Sequence, residues 1–214
     1  MVHPLAVLLD EAAHGRFPAP DGTVRVLPPL GGGLDALVSF TGTFALAAKL
    51  SQADVDARVP RGDFSIPMSP AFVHWVADRL AARAATHDVV LVAISPGGGA
   101  NDLVDNVDVS DHPRVQRAQR YRRDVRAYGT ADGSGVVVLG RGITGRWEIA
   151  FEVDDGARGS GLGRALAASG VRLLPEGTPV WAQVAPGNAA SLRAVLGAGF
   201  RPVGAEILFV RNAG

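Results

Sequence analysis

The chain has 214 residues, of which 47% are apolar and 20% charged, and its 21 basic residues balance its 21 acidic ones. This balance argues against a nucleic acid as the main partner. The sequence contains no cysteine, which excludes disulfides and thiolate metal sites and favours a reducing, cytoplasmic location. The apolar run at residues 5–9 stops at Asp10 and Glu11, so we expect neither a signal peptide nor a membrane span.

The N-terminal half shows helix and strand patterns but no motif that assigns it a role. Ser69 and Pro70 are a typical N-cap and first position of a helix, which we predict to run to about residue 85. Within residues 37–47, Thr41-Gly42-Thr43 interrupts the strand pattern as either a bulge or a turn. The other predicted elements of this half are helices at residues 4–14 and 52–58 and strands at residues 23–27 and 88–95.

The C-terminal half predicts a mixed α/β architecture. Asp111 is expected to cap a helix that runs to about residue 122. Short turns join three predicted strands into an antiparallel meander. The last strand is a candidate sheet edge, which invites pairing with a second copy, so we expect a monomer or a homodimer. The predicted elements are strands at residues 124–130, 135–141, 147–153, 179–184, 200–203 and 206–211, and helices at residues 162–174 and 188–198.

A glycine-rich run at residues 157–166 joins the third of these strands to the next helix. Glycine lets the backbone turn tightly and approach a ligand closely, and a helix that starts after such a turn offers free N–H groups to an anion, most often a phosphate. Gly159, Gly161 and Gly163 are spaced as Gly-x-Gly-x-Gly and no lysine follows them. This spacing excludes the nucleoside-triphosphate loop and the dinucleotide fingerprint.

The run Arg158-Gly159-Ser160-Gly161-Leu162-Gly163 matches the pattern Arg/Gln-x-x-Gly-x-Gly/Ala. With the helix that starts at Asn188 and ends at Gly199-Phe200, it resembles the GNAT superfamily of acyl-CoA-dependent N-acetyltransferases. The resemblance covers roughly the C-terminal half and implies a GNAT catalytic domain at residues 101–214. Residues 1–100 remain an α/β region without assigned role, either a degenerate second copy of the same fold or a cover that shapes the acceptor pocket.

The resemblance implies acetyl-CoA as cosubstrate, a primary amine as acceptor and no metal. The pantetheine arm would run along Val153, where the central strand splays from its neighbour. Asn188 would face that arm or cap its own helix, with Ser191 one turn further on. The coenzyme pyrophosphate would bind the backbone N–H groups of Arg158, Gly159, Ser160, Gly161, Leu162, Gly163 and Arg164.

Direct acetyl transfer needs a base for the ammonium, a donor for the oxyanion and a proton for the thiolate. Glu148 and Glu152 share one face of the strand before the loop by alternation, and Glu148 matches the region of the family's catalytic glutamate. The alternative is that one or both are surface charges. The resemblance assigns the oxyanion donor to the Val153 backbone N–H.

Val195 stands where many relatives carry the tyrosine that protonates the thiolate. Either Ser191, Tyr121, Tyr128 or water replaces it, or the thiolate leaves unassisted. The rival hypothesis is therefore a catalytically weak acyl-CoA-binding regulatory or scaffold module. A basic helix precedes the meander, and it indicates an acidic acceptor, the coenzyme 3′-phosphate or a solvated face; its arginines are Arg114, Arg117, Arg120, Arg122 and Arg123.

Overall fold

The computed structural model describes residues 1–105 and 111–211. The chain divides into two compact units, one formed by residues 1–90 with the C-terminal segment from Val203, the other by residues 91–202. The sequence interpretation placed its functional boundary near residue 100, and the roles assigned to the two sides of that boundary stay predictions.

In its described residues, the first unit combines three helices with a sheet in the order β1-β3-β2-β10-β4. Strand β1 runs parallel to β3, whereas β2 is antiparallel to both β3 and β10. Phe44, Val76 and Phe209 belong to one apolar core that joins sheet and helices. The elements are α1 (Pro4–Ala13), β1 (Val24–Leu27), β2 (Leu34–Phe40), β3 (Thr43–Ala47), α2 (Gln52–Asp56), α3 (Pro70–Leu80), the first part of β4 (Ala82–Ile94) and most of β10 (Arg201–Arg211).

Two sequence expectations are resolved in this unit. Phe40 pairs with Thr43, so the segment left open as a bulge or a turn is a two-residue turn. Helix α3 begins after the Ser69 cap as predicted but ends at Leu80 rather than near residue 85, because Ala81 adopts a left-handed conformation (φ 48°) and the chain enters β4 directly. Pairing in the sheet overrides the helix preference of the Ala- and Arg-rich segment that follows.

The C-terminal strands required a larger correction. The two strands predicted at residues 200–203 and 206–211 are one strand, β10, and it lies between β2 and β4. It is therefore not the sheet edge that the sequence suggested. The chain break expected between these two strands is absent. Gly204 has no Cβ that would collide with the Ser39 carbonyl, so β10 passes close to β2 without a turn.

The second unit contains the antiparallel meander β6-β7-β8 that the sequence predicted, followed by β9 parallel to β8. Parallel and antiparallel pairs together confirm the mixed α/β fold. Its sheet order is β4-β9-β8-β7-β6-β5. The elements after the last part of β4 are β5 (Val104–Asp105), α4 (Pro113–Tyr121), β6 (Arg123–Gly129), β7 (Gly135–Arg141), β8 (Trp147–Val153), α5 (Leu162–Arg172), β9 (Pro179–Val184) and α6 (Ala189–Gly197).

Helices cover both faces of this meander. On one face a Cβ at Gly170 of α5 would touch Val137 and Ile149, so the helix lies directly on the sheet. On the other face, Val115 and Ala118 of α4 pack against β7. Helix α4 is capped by His112, whose Nδ1 accepts the Arg114 N–H at 3.2 Å, and not by Asp111 as the sequence suggested. The imidazole reaches the orphan N–H group that an aspartate at N-cap would otherwise satisfy.

Among the described helices, none combines the length and the apolar character needed to cross a bilayer.

Candidate active site

The glycine-rich loop forms an uncapped start to helix α5. Gly159 and Gly161 adopt φ values of 80° and 90°, a region that side-chain-bearing residues avoid. Gly161 is the N-cap and offers no side chain to the first turn of α5, which begins at Leu162. The backbone geometry thus explains both glycines and leaves the positive end of the helix open.

The free N–H groups of this loop indicate an anion-binding site. Those of Gly159, Gly161 and Gly163 donate to no acceptor within the described parts of the chain. The Ser160 hydroxyl instead donates to the Ala157 carbonyl at 2.6 Å and so braces the loop from within. An open pocket of about 500 Å³ lies directly against the loop; its lining residues are Ser160, Gly161, Leu162, Arg164, Ala165 and Ala168. Free amides at a helix N-terminus bind phosphate groups.

Strands β8 and β9 pair only where they begin. Their parallel register consists of Trp147 with Val180 and Glu148 with Trp181. Beyond Glu148, β8 stays paired with β7 as far as Val153. The sheet therefore opens between β8 and β9 on the approach to the glycine loop, as the resemblance implied for the pantetheine arm.

Helix α6 carries the other predicted cofactor residues. The Asn188 Oδ1 accepts the Ser191 N–H at 3.1 Å, so the capping alternative is realised in the structure. The side-chain amide NH₂ of Asn188 takes no part in this bond. Val195 is fully buried, so the position at which the resemblance implied a tyrosine is part of the core.

Two arginines flank the loop in different states. Arg158 forms an ion pair with Asp155 at 2.7 Å, but the two side chains are 67% and 88% exposed. Such a surface pair is weak and readily exchanged for a phosphate. Arg164 lines the pocket and its aliphatic stem lies close to Gly197, where a Cβ would come within 3.2 Å of the Arg164 Cδ.

Glu148 is held between two arginines on the α4 face of the sheet. Arg122 Nε donates to Glu148 Oε2 at 2.9 Å, and Arg146 Nε donates to Oε1 at 2.9 Å. The three side chains are 14%, 5% and 9% exposed for Arg122, Arg146 and Glu148 respectively. Both carboxylate oxygens are thus engaged in charge-assisted hydrogen bonds, and an incoming group has only their remaining lone pairs.

Two glycines make room for this cluster. A Cβ on Gly142 would overlap the Glu148 carboxylate, and a Cβ on Gly140 would come within 3.0 Å of the Arg122 Cβ. Neither glycine has a positive φ, so space rather than backbone conformation explains them. The cluster is built into the fold rather than laid on its surface.

Glu152 lies on the same face as Glu148, as alternation predicted, and it is also paired. Arg114 Nε donates to its Oε2 at 2.8 Å, and this hydrogen bond is the main reason why the pKa of Glu152 is lowered. The pair is exposed, with side-chain exposures of 37% for Arg114 and 42% for Glu152. A lowered pKa makes Glu152 a weaker base than an ordinary glutamate.

The sequence interpretation missed the arginine partners of both glutamates. Arg146 was not singled out, although it lies two residues before Glu148. Arg114 and Arg122 were seen only as members of a basic helix, whereas Arg122 follows the end of α4 in extended backbone. Trp181 carries the Arg146 guanidinium over its ring at 5.3 Å, while Gln183, two residues on, gave no sequence signal at all.

Within the described residues, no group of three or more metal-ligating side chains comes together. No protein-family model matches the chain, and no curated protein is similar to it in sequence.

The chain is similar in fold to several solved acetyltransferase structures. A GCN5-related N-acetyltransferase from Kribbella flavida is 14% identical, with a TM-score of 0.43 over 68% of this chain and 65% of that one. One from Sphaerobacter thermophilus is 16% identical, with a TM-score of 0.41 over 66% and 56%. A GNAT-family acetyltransferase from Colwellia psychrerythraea is 11% identical, with a TM-score of 0.40 over 66% and 62%. Each match spans less than two thirds of the other protein's length.

Proposed function

We propose that the chain is a GNAT-type N-acetyltransferase that moves an acetyl group from acetyl-CoA to a primary amine. The observation that carries the proposal is the parting of β8 from β9 after two residue pairs, directly ahead of the uncapped loop. A cleft that ends on free N–H groups suits a ligand with an extended arm and a diphosphate at its end. The resemblance of residues 158–163 to the GNAT motif supports coenzyme A as that ligand.

The donor would be bound almost entirely by main chain. The free amides of Gly159, Gly161 and Gly163 face the pyrophosphate, and Arg164 beside the pocket offers a cation to it. The pantetheine arm takes the place of β9 along the part of β8 that ends at Val153. An acetyl thioester held there presents an electrophilic carbonyl carbon near the point where the strands part.

The chain's own residues then serve the transfer. The Val153 N–H donates to the oxyanion that forms as the amine nitrogen bonds to the carbonyl carbon. Glu148 accepts the ammonium proton, through a water, on a lone pair that its arginines leave free. The amine nitrogen gives up its second proton to solvent as the carbon–sulfur bond breaks. Val195 has no proton to give, so the thiolate leaves unassisted; a thiol with a pKa of about 8.5 is acidic enough for that.

A screen of primary amines with acetyl-CoA, read by release of free thiol, tests this function. We expect thiol release that depends on amine concentration and gives an equimolar N-acetyl product by mass spectrometry. Release that is slow and identical with and without amine would contradict the transferase proposal.

That second result would favour the other candidate, an acyl-CoA-binding regulatory or scaffold module. The observation behind it is that Glu148 and Glu152 are both ion-paired with arginines and Val195 is buried. A cytoplasmic location, a monomeric or homodimeric state and the role of residues 1–100 stay predictions under either function.

A further inference from the structure

Arg122 and Gln183, in the described part of the second unit, each bury a hydrogen-bond donor that has no acceptor. Arg122 Nη1 and Gln183 Nε2 are shielded from solvent, and neither has a hydrogen-bond partner among the described residues. A buried donor left unsatisfied costs about 1–3 kcal/mol, so such groups are rare in folded proteins and call for an explanation. Both groups are donors only, so what satisfies them must supply acceptor atoms.

The two donors lie on the same face of the sheet, on either side of the parting strands. Glu148 of β8 is paired with Trp181 of β9, so their side chains share a face. Gln183 is two residues beyond Trp181 and therefore projects to that face too. Arg122 reaches it from the end of α4, where its Nε binds Glu148 Oε2.

Arg122 is also fixed in place. Its Nε is held by Glu148, and its Cβ lies against Gly140, where an added Cβ would come within 3.0 Å of it. A guanidinium fixed through Nε presents its Nη groups in a defined plane, which suits a planar two-oxygen acceptor such as a carboxylate. Glu148 thereby acts as a positioning residue for Arg122 in addition to any role as a base.

We propose that Arg122 Nη1 and Gln183 Nε2 bind a carboxylate of the acceptor, so the substrate is an amine that carries an acidic group. This inference rests on the proposed function, because it names the acceptor class of the same cleft. An amide and a guanidinium together discriminate strongly against an analogue without the carboxylate, since its binding leaves both donors unpaired.

Matched amines that differ only by a carboxylate test the proposal: phenylalanine against phenethylamine, and β-alanine against ethylamine. Binding is measured directly by ligand-observed NMR, with and without coenzyme A, and turnover by thiol release. In the unmodified protein we expect the carboxylated member of at least one pair to bind roughly ten- to hundred-fold more tightly. A protein that prefers neither member of either pair would overturn the proposal.

Two variants test whether Arg122 and Gln183 cause the preference for the carboxylated amine. Arg122→Gln and Gln183→Leu should each remove it, whereas Arg120→Gln, which deletes an exposed arginine of the same helix, should keep it. If Arg122→Gln does not fold, Gln183→Leu decides alone. A carboxylate preference that survives Gln183→Leu and any folded Arg122 variant would contradict the site. If the proposed function itself is wrong, acetyl-CoA will not bind. The NMR comparison of the matched amines can still be made in that case, so the two failures are distinguishable.

Discussion

The glycine loop and the α4 face of the second unit are built in opposite ways. At the loop, main-chain N–H groups of Gly159, Gly161 and Gly163 have no acceptor within the described residues, and the helix behind them has no side-chain cap. On the α4 face, the carboxylates of Glu148 and Glu152 are already bound by arginines. The loop is therefore open and insensitive to side-chain identity, whereas the α4 face depends on a few specific side-chain pairs.

This difference explains why the loop is easier to predict from the sequence than the side-chain cluster on the α4 face. A backbone site requires glycines at fixed spacing, and such spacing is visible in any single sequence. In the cluster of Arg122, Arg146 and Glu148, the two arginines lie 26 and 2 positions from the glutamate in the sequence. No motif or periodic pattern connects the three residues.

The largest effect should come from closing the open loop. Gly161→Glu places a side chain at φ 90° and a negative charge among the amides that we propose as the pyrophosphate site. We expect acetyl-CoA affinity to fall by about 1,000-fold or more, measured by calorimetry. Gly177→Glu is the matched control, because Gly177 has a φ of 82° and similar free space but lies in the turn before β9. Equal losses in both variants would mean that backbone strain, not the anion site, is responsible.

A second effect should come from removing the shared carboxylate on the α4 face. Glu148→Gln should lower kcat by about 100-fold at neutral pH, and by less at high pH, where the amine loses its proton without help. Glu152→Gln should lower kcat by less, because the pKa of Glu152 is already lowered by Arg114. The pH–rate profiles of both variants check this. A profile unchanged in shape for Glu148→Gln would remove Glu148 as base and leave only its positioning of Arg122.

Filling the space beneath Glu148 tests the cluster without changing any charge. In Gly142→Ala the new Cβ overlaps the carboxylate, which both arginines hold in place. We expect the free energy of unfolding to fall by about 2 kcal/mol, measured by denaturant unfolding. Gly156→Ala is the control, since Gly156 has open space and no positive φ. If the two substitutions cost the same, the cluster is not rigid.

The first unit offers a buried carboxylate in a different state. Asp35 is fully buried, its Oδ2 lies 3.2 Å from Arg211 Nη2, and neither oxygen accepts a hydrogen bond from the described residues. Burial raises the pKa of Asp35, and the Arg211 charge offsets only part of this rise. The folded state therefore holds the proton more tightly than the unfolded state, and stability declines as the pH rises from about 3.8 through the raised pKa.

Asp35→Asn should consequently stabilise the protein at pH 7 by about 1 kcal/mol and flatten this decline. Urea unfolding at a series of pH values measures both effects. Asp63→Asn is the opposite case, since hydrogen bonds from Ser65 lower the pKa of Asp63, so this variant should lose stability at neutral pH. A destabilised Asp35→Asn protein would show that the Arg211 ion pair outweighs the desolvation of the carboxylate.

Much of the fold was predictable because local patterns and tertiary pairing agree. The bounds of β7, β8 and β9 match the sequence prediction, since alternation and turn residues mark both ends of the strands. The predicted end of helix α3 and the predicted division of strand β10 were wrong, because tertiary contacts decide both. Ala81 turns the chain into β4, and Gly204 lets β10 continue past Ser39 as one strand.

The candidate site also contains features that local sequence predicts and features that depend on tertiary packing. The loop, its glycines and the shared face of Glu148 and Glu152 followed from spacing and alternation. The arginine partners of both glutamates, and the unpaired amide of Gln183, depend on how α4 and β9 pack on the meander. Packing of that kind leaves no periodic trace in one sequence.

Calorimetric titration of acetyl-CoA into the unmodified protein tests the central claim most directly, because both proposed functions require the loop to bind the coenzyme. We expect saturable one-site binding in the micromolar range that desulfo-coenzyme A reproduces and pantetheine without the diphosphate does not. Absence of binding at millimolar acetyl-CoA, or equal affinity for pantetheine alone, would contradict the assignment of the glycine loop as the pyrophosphate site.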